Sequence, residues 1–315
     1  MGHTLQVWWG GPGRINACTA QFPIRYSGVY FSGHWQGLFG PLKLISHIRM
    51  ETQLSIPEDV TDLPWITNGI SGATFAVSDS AIIKIPLPLE NCTEQLVIER
   101  QIYERLGPHP YITKLLYTHK GMVVLERLQY PLRRRLLDIR EQKQLPVSQD
   151  VVRWARQTAQ ALQHIHSHGV MQIDIGPHNI LLDWDEDVKL SDFAGSSLDG
   201  SEPTVFPSAH SEHPAMPASN PSIQSELFAL GSTLYEIETT YKPYPDKTDG
   251  ELAKLFKANK FPDTQELILG KVITKCWMAR YEDASQVVVD VLHIQDRLNN
   301  PILSVSEEER EDEEQ

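Results

Sequence analysis

Apolar positions along this chain follow two successive patterns, short runs first and long amphipathic stretches after. Residues 75–77, 81–85 and 122–125 are apolar runs bounded by Gly, Ser, Asp and Lys, and they predict strands. Residues 94–106 carry Leu96, Val97, Ile102, Tyr103 and Leu106 at three-to-four spacing, with Gly107-Pro108 as a stop, and predict one helix among those strands. Beyond residue 128 the period becomes helical. Ser148 is placed to cap a helix whose face runs through Val151, Val152, Ala155, Ala159, Leu162 and Ile165, with Asp150 in its first turn, ending near Gly169. Residues 201–225 hold five prolines and many hydroxyls and predict an irregular loop. A buried helix with Leu227, Phe228, Leu230, Leu234 and Ile237 resumes at Glu226. The run Val287-Val288-Val289 suits strand or helix, with helix favoured. The fold class expected is α+β in two lobes, a strand-rich lobe with one helix over 61–128 and a helical lobe over 129–297. Residues 1–60, rich in Gly and aromatics without a sustained period, are expected to be an irregular extension, and 298–315 a disordered acidic tail.

Composition narrows the function classes. With 41% hydrophobic and 22% charged residues over 315 positions, the chain can bury a real core. A formal charge of -13 repels a nucleic-acid backbone or an anionic membrane, so neither is an expected partner. Residues 307–314 hold seven acids and Arg310, which leaves about -7 for the rest of the chain by subtraction. Cys18, Cys92 and Cys276 have neither disulfide arithmetic nor metal-ligand spacing and suit a reducing compartment. No signal peptide or apolar run of membrane length is visible, and Met1-Gly2 lacks the Ser or Thr that myristoylation wants where Gln6 stands. A cytoplasmic location is expected; oligomeric state is not written in the sequence.

The chemistry concentrates in Asp174-Ile-Gly-Pro-His-Asn179 followed by Asp192-Phe193. This arrangement resembles the catalytic and metal-binding loops of protein kinases, where an Asp, four residues and an Asn precede an Asp-Phe-Gly. Upstream, Ala81-Ile-Ile-Lys84 is similar to the phosphate-contacting strand, and Glu99 matches the acid that pairs with its lysine. The resemblance covers about 65–297 and implies ATP and Mg²⁺ as cofactors and a protein substrate. It implies that Asp174, Lys84 and Glu99 are catalytic and that Asn179 and Asp192 hold the metal. Gly72, Val77 and Lys84 would bind the nucleotide, the backbone of Glu126 and Leu128 would meet adenine, and Leu125 would be the gatekeeper. The stretches from Phe228 and from Lys275-Cys-Trp resemble the helical lobe of protein kinases rather than small-molecule phosphotransferases.

Departures from the family are specific. Only Gly69 and Gly72 remain of the glycine-rich loop, with Phe75 at the third glycine when Val77 is the anchor. His-Arg-Asp reads Gln172-Ile173-Asp174, which implies activity independent of activation-segment phosphorylation at Thr204, Ser208 or Ser211. Gly176 replaces the catalytic-loop lysine, His178 reads as a plain loop residue or as a partial substitute, and Ala194 replaces the last glycine of Asp-Phe-Gly. His164, His166 and His168 read as core or surface rather than metal ligands, and Arg133-Arg134-Arg135 as solvated. The expected function is transfer of the ATP γ-phosphoryl to a protein hydroxyl, Ser or Thr rather than Tyr. The alternative is a pseudokinase serving as a nucleotide-binding or scaffold module.

Overall fold

The structure, a computed structural model, describes residues 56–300; the irregular extension and the acidic tail expected at the two ends lie almost wholly outside the described residues. The small lobe is a five-stranded antiparallel sheet in the order β1-β2-β3-β5-β4, built from β1 (Trp65–Asn68), β2 (Gly72–Ala76), β3 (Ala81–Pro86), β4 (Leu115–His119) and β5 (Met122–Glu126). One helix, α1 (Cys92–Leu106), crosses it. Side chains alternate across a strand, so pairing decides which face each residue joins. Thr74 pairs with Lys84, Lys84 with Val123 and Ile82 with Leu125, which turns these residues towards α1 and the main core. Ala73, Phe75, Ala81, Ile83 and Val124 face the other way and close a small separate core with Val60. Because Val60 is buried there, the small lobe begins before residue 61.

The helix α1 buries Leu96, Glu99, Ile102, Tyr103 and Leu106 along one stripe. Gly107 ends it at φ +62, a left-handed turn that favours glycine, with its N–H on the Tyr103 carbonyl at 3.2 Å.

A connector at 127–129 joins the lobes and is pinned on both sides. Arg127 N–H donates to the Ser80 carbonyl at 2.9 Å in the small lobe, and Gln129 N–H to the Leu182 carbonyl at 2.9 Å in the large one. The large lobe follows with β6 (Tyr130–Pro131), α2 (Leu132–Glu141), α3 (Ser148–Ser167), β7 (Val170–Met171), β8 (Ile180–Leu182), β9 (Val188–Leu190) and β10 (Ser197–Leu198). It ends with α4 (Ile223–Thr239), α5 (Asp249–Lys257), α6 (Gly270–Trp277) and α7 (Ala284–Asn299). Its centre is α3 against α7 and α4 against α6. Gly231 makes the second contact possible, because a Cβ there would lie 2.7 Å from the Cβ of Cys276. Ser148 is the first helical residue of α3 and not its cap, since Val147 takes the extended backbone before it. Helix α4 starts at Ile223, three residues ahead of the expected Glu226, because Ser222 accepts from Ser225 N–H as a cap.

Candidate active site

Strand β3 delivers Lys84 into the space between the lobes, where its ammonium lies 2.8 Å from Glu99 Oε2 and 2.6 Å from Asp192 Oδ1. Glu99 is fully buried on the inner stripe of α1. Asp192 follows β9 with φ +60, a left-handed turn that swings its carboxylate back towards Lys84. Burial alone would lower the lysine, but the two carboxylates outweigh it and hold it well above its ordinary value. Burial pushes Glu99 up, with Asp192 adding to the push against the pull of Lys84, whereas for Asp192 the lysine's charge overcomes burial and holds the carboxyl down. Lys84 therefore bridges the two lobes, between Glu99 of the small lobe and Asp192 of the large one.

Phe193 locks the far side of this bridge, fully buried and edge-on to Tyr103 of α1 at 5.1 Å between ring centres. Gln172, which stands where the family has histidine, is a structural tie the sequence did not show. Its Nε2 donates to the carbonyls of Ser191 at 2.7 Å and Asp192 at 3.2 Å. Gly195 has φ +83, and a Cβ would meet Val205 Cγ1 at 2.5 Å, so glycine is required one place after Ala194.

The loop before β8 is held from beneath by α4. Ile173, a β-branched residue at φ +74, is in a costly left-handed conformation, and Glu226 Oε1 accepts its N–H at 2.6 Å while Oε2 lies 2.7 Å from His166 Nε2. That strained turn presents Asp174. His178 Nε2 lies 2.8 Å from Asp174 Oδ2, and Asn179 Nδ2 donates to the Asp174 carbonyl at 2.9 Å. The next strand brings Asp192 alongside, since Ser191 N–H donates to the Asn179 carbonyl at 2.9 Å. Asn179 and Asp192 thus place an amide and a carboxylate, both hard oxygen donors, on adjacent loops, a set that fits Mg²⁺. Among the described residues no cluster of three His, Cys, Asp or Glu side chains forms another metal site. His164 and His168 lie with tilted rings 4.3 Å apart, while His166 belongs to Glu226.

Other expected positions fare differently. Gly72 has Lys84 packed against it, and a Cβ would stand 3.0 Å from Lys84 Cε and 2.9 Å from the Ile85 carbonyl. Val77 does not join Lys84. Its N–H bonds the Ala81 carbonyl at 3.0 Å and its side chain packs on the outer core with Phe75 and Ile83, the face opposite Lys84. Strand alternation puts Ile82, two residues from Lys84 and paired with Leu125, where Val77 was expected. The glycine stretch is a tight hairpin, with Gly69 N–H on the Gly72 carbonyl at 2.8 Å and Ile70 exposed at its tip. A Cβ on Gly69 would be 4.0 Å from Asp192 Oδ2, so the hairpin lies over that carboxylate. Glu126 N–H donates to the Lys114 carbonyl, and among the described residues Leu128 N–H makes no backbone bond of the kind its neighbours make. The three arginines are paired and not merely solvated: Arg133 with Glu236, Arg134 with Asp138 and Arg135 with Glu186.

Comparison with known proteins supplies the family. The model of the family described as protein kinase domain matches residues 80–298. The 3-phosphoinositide-dependent protein kinase 1 of Arabidopsis thaliana is 28% identical over 192 residues, 55% of this chain and 39% of that one. A probable serine/threonine-protein kinase of Clostridium acetobutylicum is 26% identical over 167 residues, 48% of this chain and 25% of that one. A probable serine/threonine-protein kinase of Lactococcus lactis is 28% identical over 152 residues, 42% and 23% of the two chains. The matched stretches span well under half the length of these relatives. The family match runs through more than half of the chain, from Lys84 to the last helix, and this chain belongs to the protein kinase family.

Proposed function

We propose that the domain transfers the γ-phosphoryl group of Mg-ATP to a serine or threonine hydroxyl of a protein substrate. The observation that carries this reading is the Lys84 bridge to Glu99 and Asp192, set beside the Asp174–Asn179 loop. Glu99 fixes the height of the lysine, which offers its charge to nucleotide phosphates. Asp192 and Asn179 would hold Mg²⁺, which when bound supplies neutralising charge to phosphate oxygens. His178 and Asn179 both lie against Oδ2 of Asp174, leaving Oδ1 to orient the acceptor hydroxyl. The backbone of Glu126 and Leu128 would meet the adenine edge, next to Ile82 and Leu125 of the sheet. Serine or threonine as acceptor follows the names of the bacterial relatives. Cys92 and Cys276 are buried free thiols, in keeping with a reducing cytoplasm.

The domain limits belong to the same proposal, a catalytic unit from about residue 56 to 299 between an N-terminal extension and an acidic tail. The rival reading is a nucleotide-binding pseudokinase, and one observation favours it: the short hairpin lies over Asp192, so it must lift before phosphates reach the metal side. The test is Mg²⁺-dependent transfer from γ-labelled ATP to a generic serine- and threonine-containing protein, comparing wild type with Asp174→Asn. Transfer that falls roughly 10²–10⁴-fold in the variant is the expected result. A wild type that binds Mg-ATP and transfers nothing overturns it in favour of the pseudokinase.

A further inference from the structure

The structure assigns His178 as a positioning residue for Asp174, and Gly176 as the position that must lack a side chain so that the imidazole can be seated. The assignment deepens the phosphotransfer reading and rests on it.

The ring's place is set by two contacts. His178 Nε2 lies 2.8 Å from Asp174 Oδ2, four residues earlier in the same loop. Because a carboxylate accepts, Nε2 carries the hydrogen. Nδ1 is buried without a hydrogen-bond partner, so the ring's one hydrogen bond is the one to Asp174. Both side chains are about 70% covered, at 31% and 29% exposed, which weakens competition from water.

Gly176 supplies an independent observation. Its φ is not in the left-handed region, so the backbone has no need of glycine there. A Cβ would nonetheless lie 2.6 Å from His178 Cε1 and 2.7 Å from Nδ1. A side chain at 176 would push the ring out of this orientation. The loop around them is fixed elsewhere, since Arg133 N–H donates to the Pro177 carbonyl at 2.8 Å and Arg133 is paired through two bonds with Glu236.

The ring also lines a pocket walled by Ser208, His210 and Ser211 of the activation segment and by Lys242. It therefore stands between the carboxylate and the side from which a protein acceptor approaches. There it holds Oδ2 so that Oδ1 keeps one direction, and the expected consequence falls on turnover and not on nucleotide affinity.

The experiment compares wild type with His178→Ala, His178→Gln, Gly176→Ala and the double variant Gly176→Ala/His178→Ala. Loss of a positioning contact lowers kcat roughly 10- to 100-fold. His178→Ala and Gly176→Ala are expected to fall by similar factors, the double variant no further than either, and His178→Gln, which keeps an N–H donor, to fall less. KM for ATP and the unfolding midpoint stay level. A His178→Ala kcat within twofold of wild type, or single losses that multiply in the double variant, would overturn the assignment. The ring's position is also read without turnover: Asp174→Asn should shift the His178 imidazole nitrogen resonances, and unmoved resonances refute the contact. A wild type without transfer activity whose resonances do shift defeats the proposed reaction while leaving the His178–Asp174 contact standing.

Discussion

The floor and the roof of the candidate site are built on different principles. The floor, Lys84, Glu99, Asp174, Asn179 and Asp192, is a set of charged and amide groups held by buried and half-buried contacts across both lobes. The roof is the Gly69–Gly72 hairpin, a backbone device closed by one hydrogen bond and exposed at Ile70. The family match begins at residue 80 and so takes in the floor and omits the roof. Charge chemistry depends on residue identity at a few positions, whereas a phosphate-covering loop depends on backbone shape, which many sequences can supply. A domain can therefore keep the first while its roof drifts.

The largest effect that would break this contrast comes from the centre of the floor. Lys84→Met should abolish transfer and cost roughly 3–5 kcal/mol of stability, because Glu99 remains buried without its cation. Denaturant unfolding read beside the transfer assay checks both. Gly72 is where roof and floor touch. Gly72→Val puts a Cβ against Lys84 Cε and should lower transfer by roughly 10- to 100-fold, while Gly69→Ala, with nothing closer than 3.7 Å, should stay within a fewfold. Equal losses from the two would erase the distinction between them.

A smaller effect lies behind the floor, where His109 stacks on His164 at 4.3 Å. Burial, helped by His164, Lys189 and His168, pushes His109 down to about 4, against about 6.5 for a free imidazole. Above that free value neither state binds the proton. As pH falls from about 6.5 towards 4, the unfolded chain takes a proton that the native ring refuses, so stability is lost across that window and levels off below it. His109→Phe should flatten this share, and thermal midpoints at pH 7 and pH 5 should differ less than in wild type. The smallest effect is expected from Thr204→Ala, Ser208→Ala and Ser211→Ala, each leaving turnover within about twofold. The activation segment is already tied to α1 without a phosphate, through Arg105 to Asp199 at 2.9 Å. A large loss in any of the three, measured as initial rate, would show that phosphorylation completes the site.

The residues that the structure brings together in the floor were legible in the sequence because the chemistry proposed for them restricts residue type and order: a lysine on a strand, an acid on the next helix, then Asp, Asn and Asp. The helices were legible wherever one face is apolar, and the Val287 run resolves as helix α7 because Val287, Val288 and Val291 pack inward. The strand Trp65–Asn68 escaped notice because it is exposed throughout and has no alternation to read. Val77 was misplaced because counting from a shortened glycine loop shifts the strand by one face. Arg133 looked solvated because its partner Glu236 is 103 residues away. The pairing of Gly176 with His178 is a steric exclusion that only three dimensions reveal.

The most direct test of the claim that the floor sustains nucleotide binding beneath a reduced roof is a calorimetric titration of the protein with ATP, in Mg²⁺ and again in EDTA, with Asp192→Ala beside the wild type. The account predicts saturable binding in Mg²⁺ that collapses in EDTA and in the variant. Binding indifferent to both changes, or none by the wild type, would contradict it.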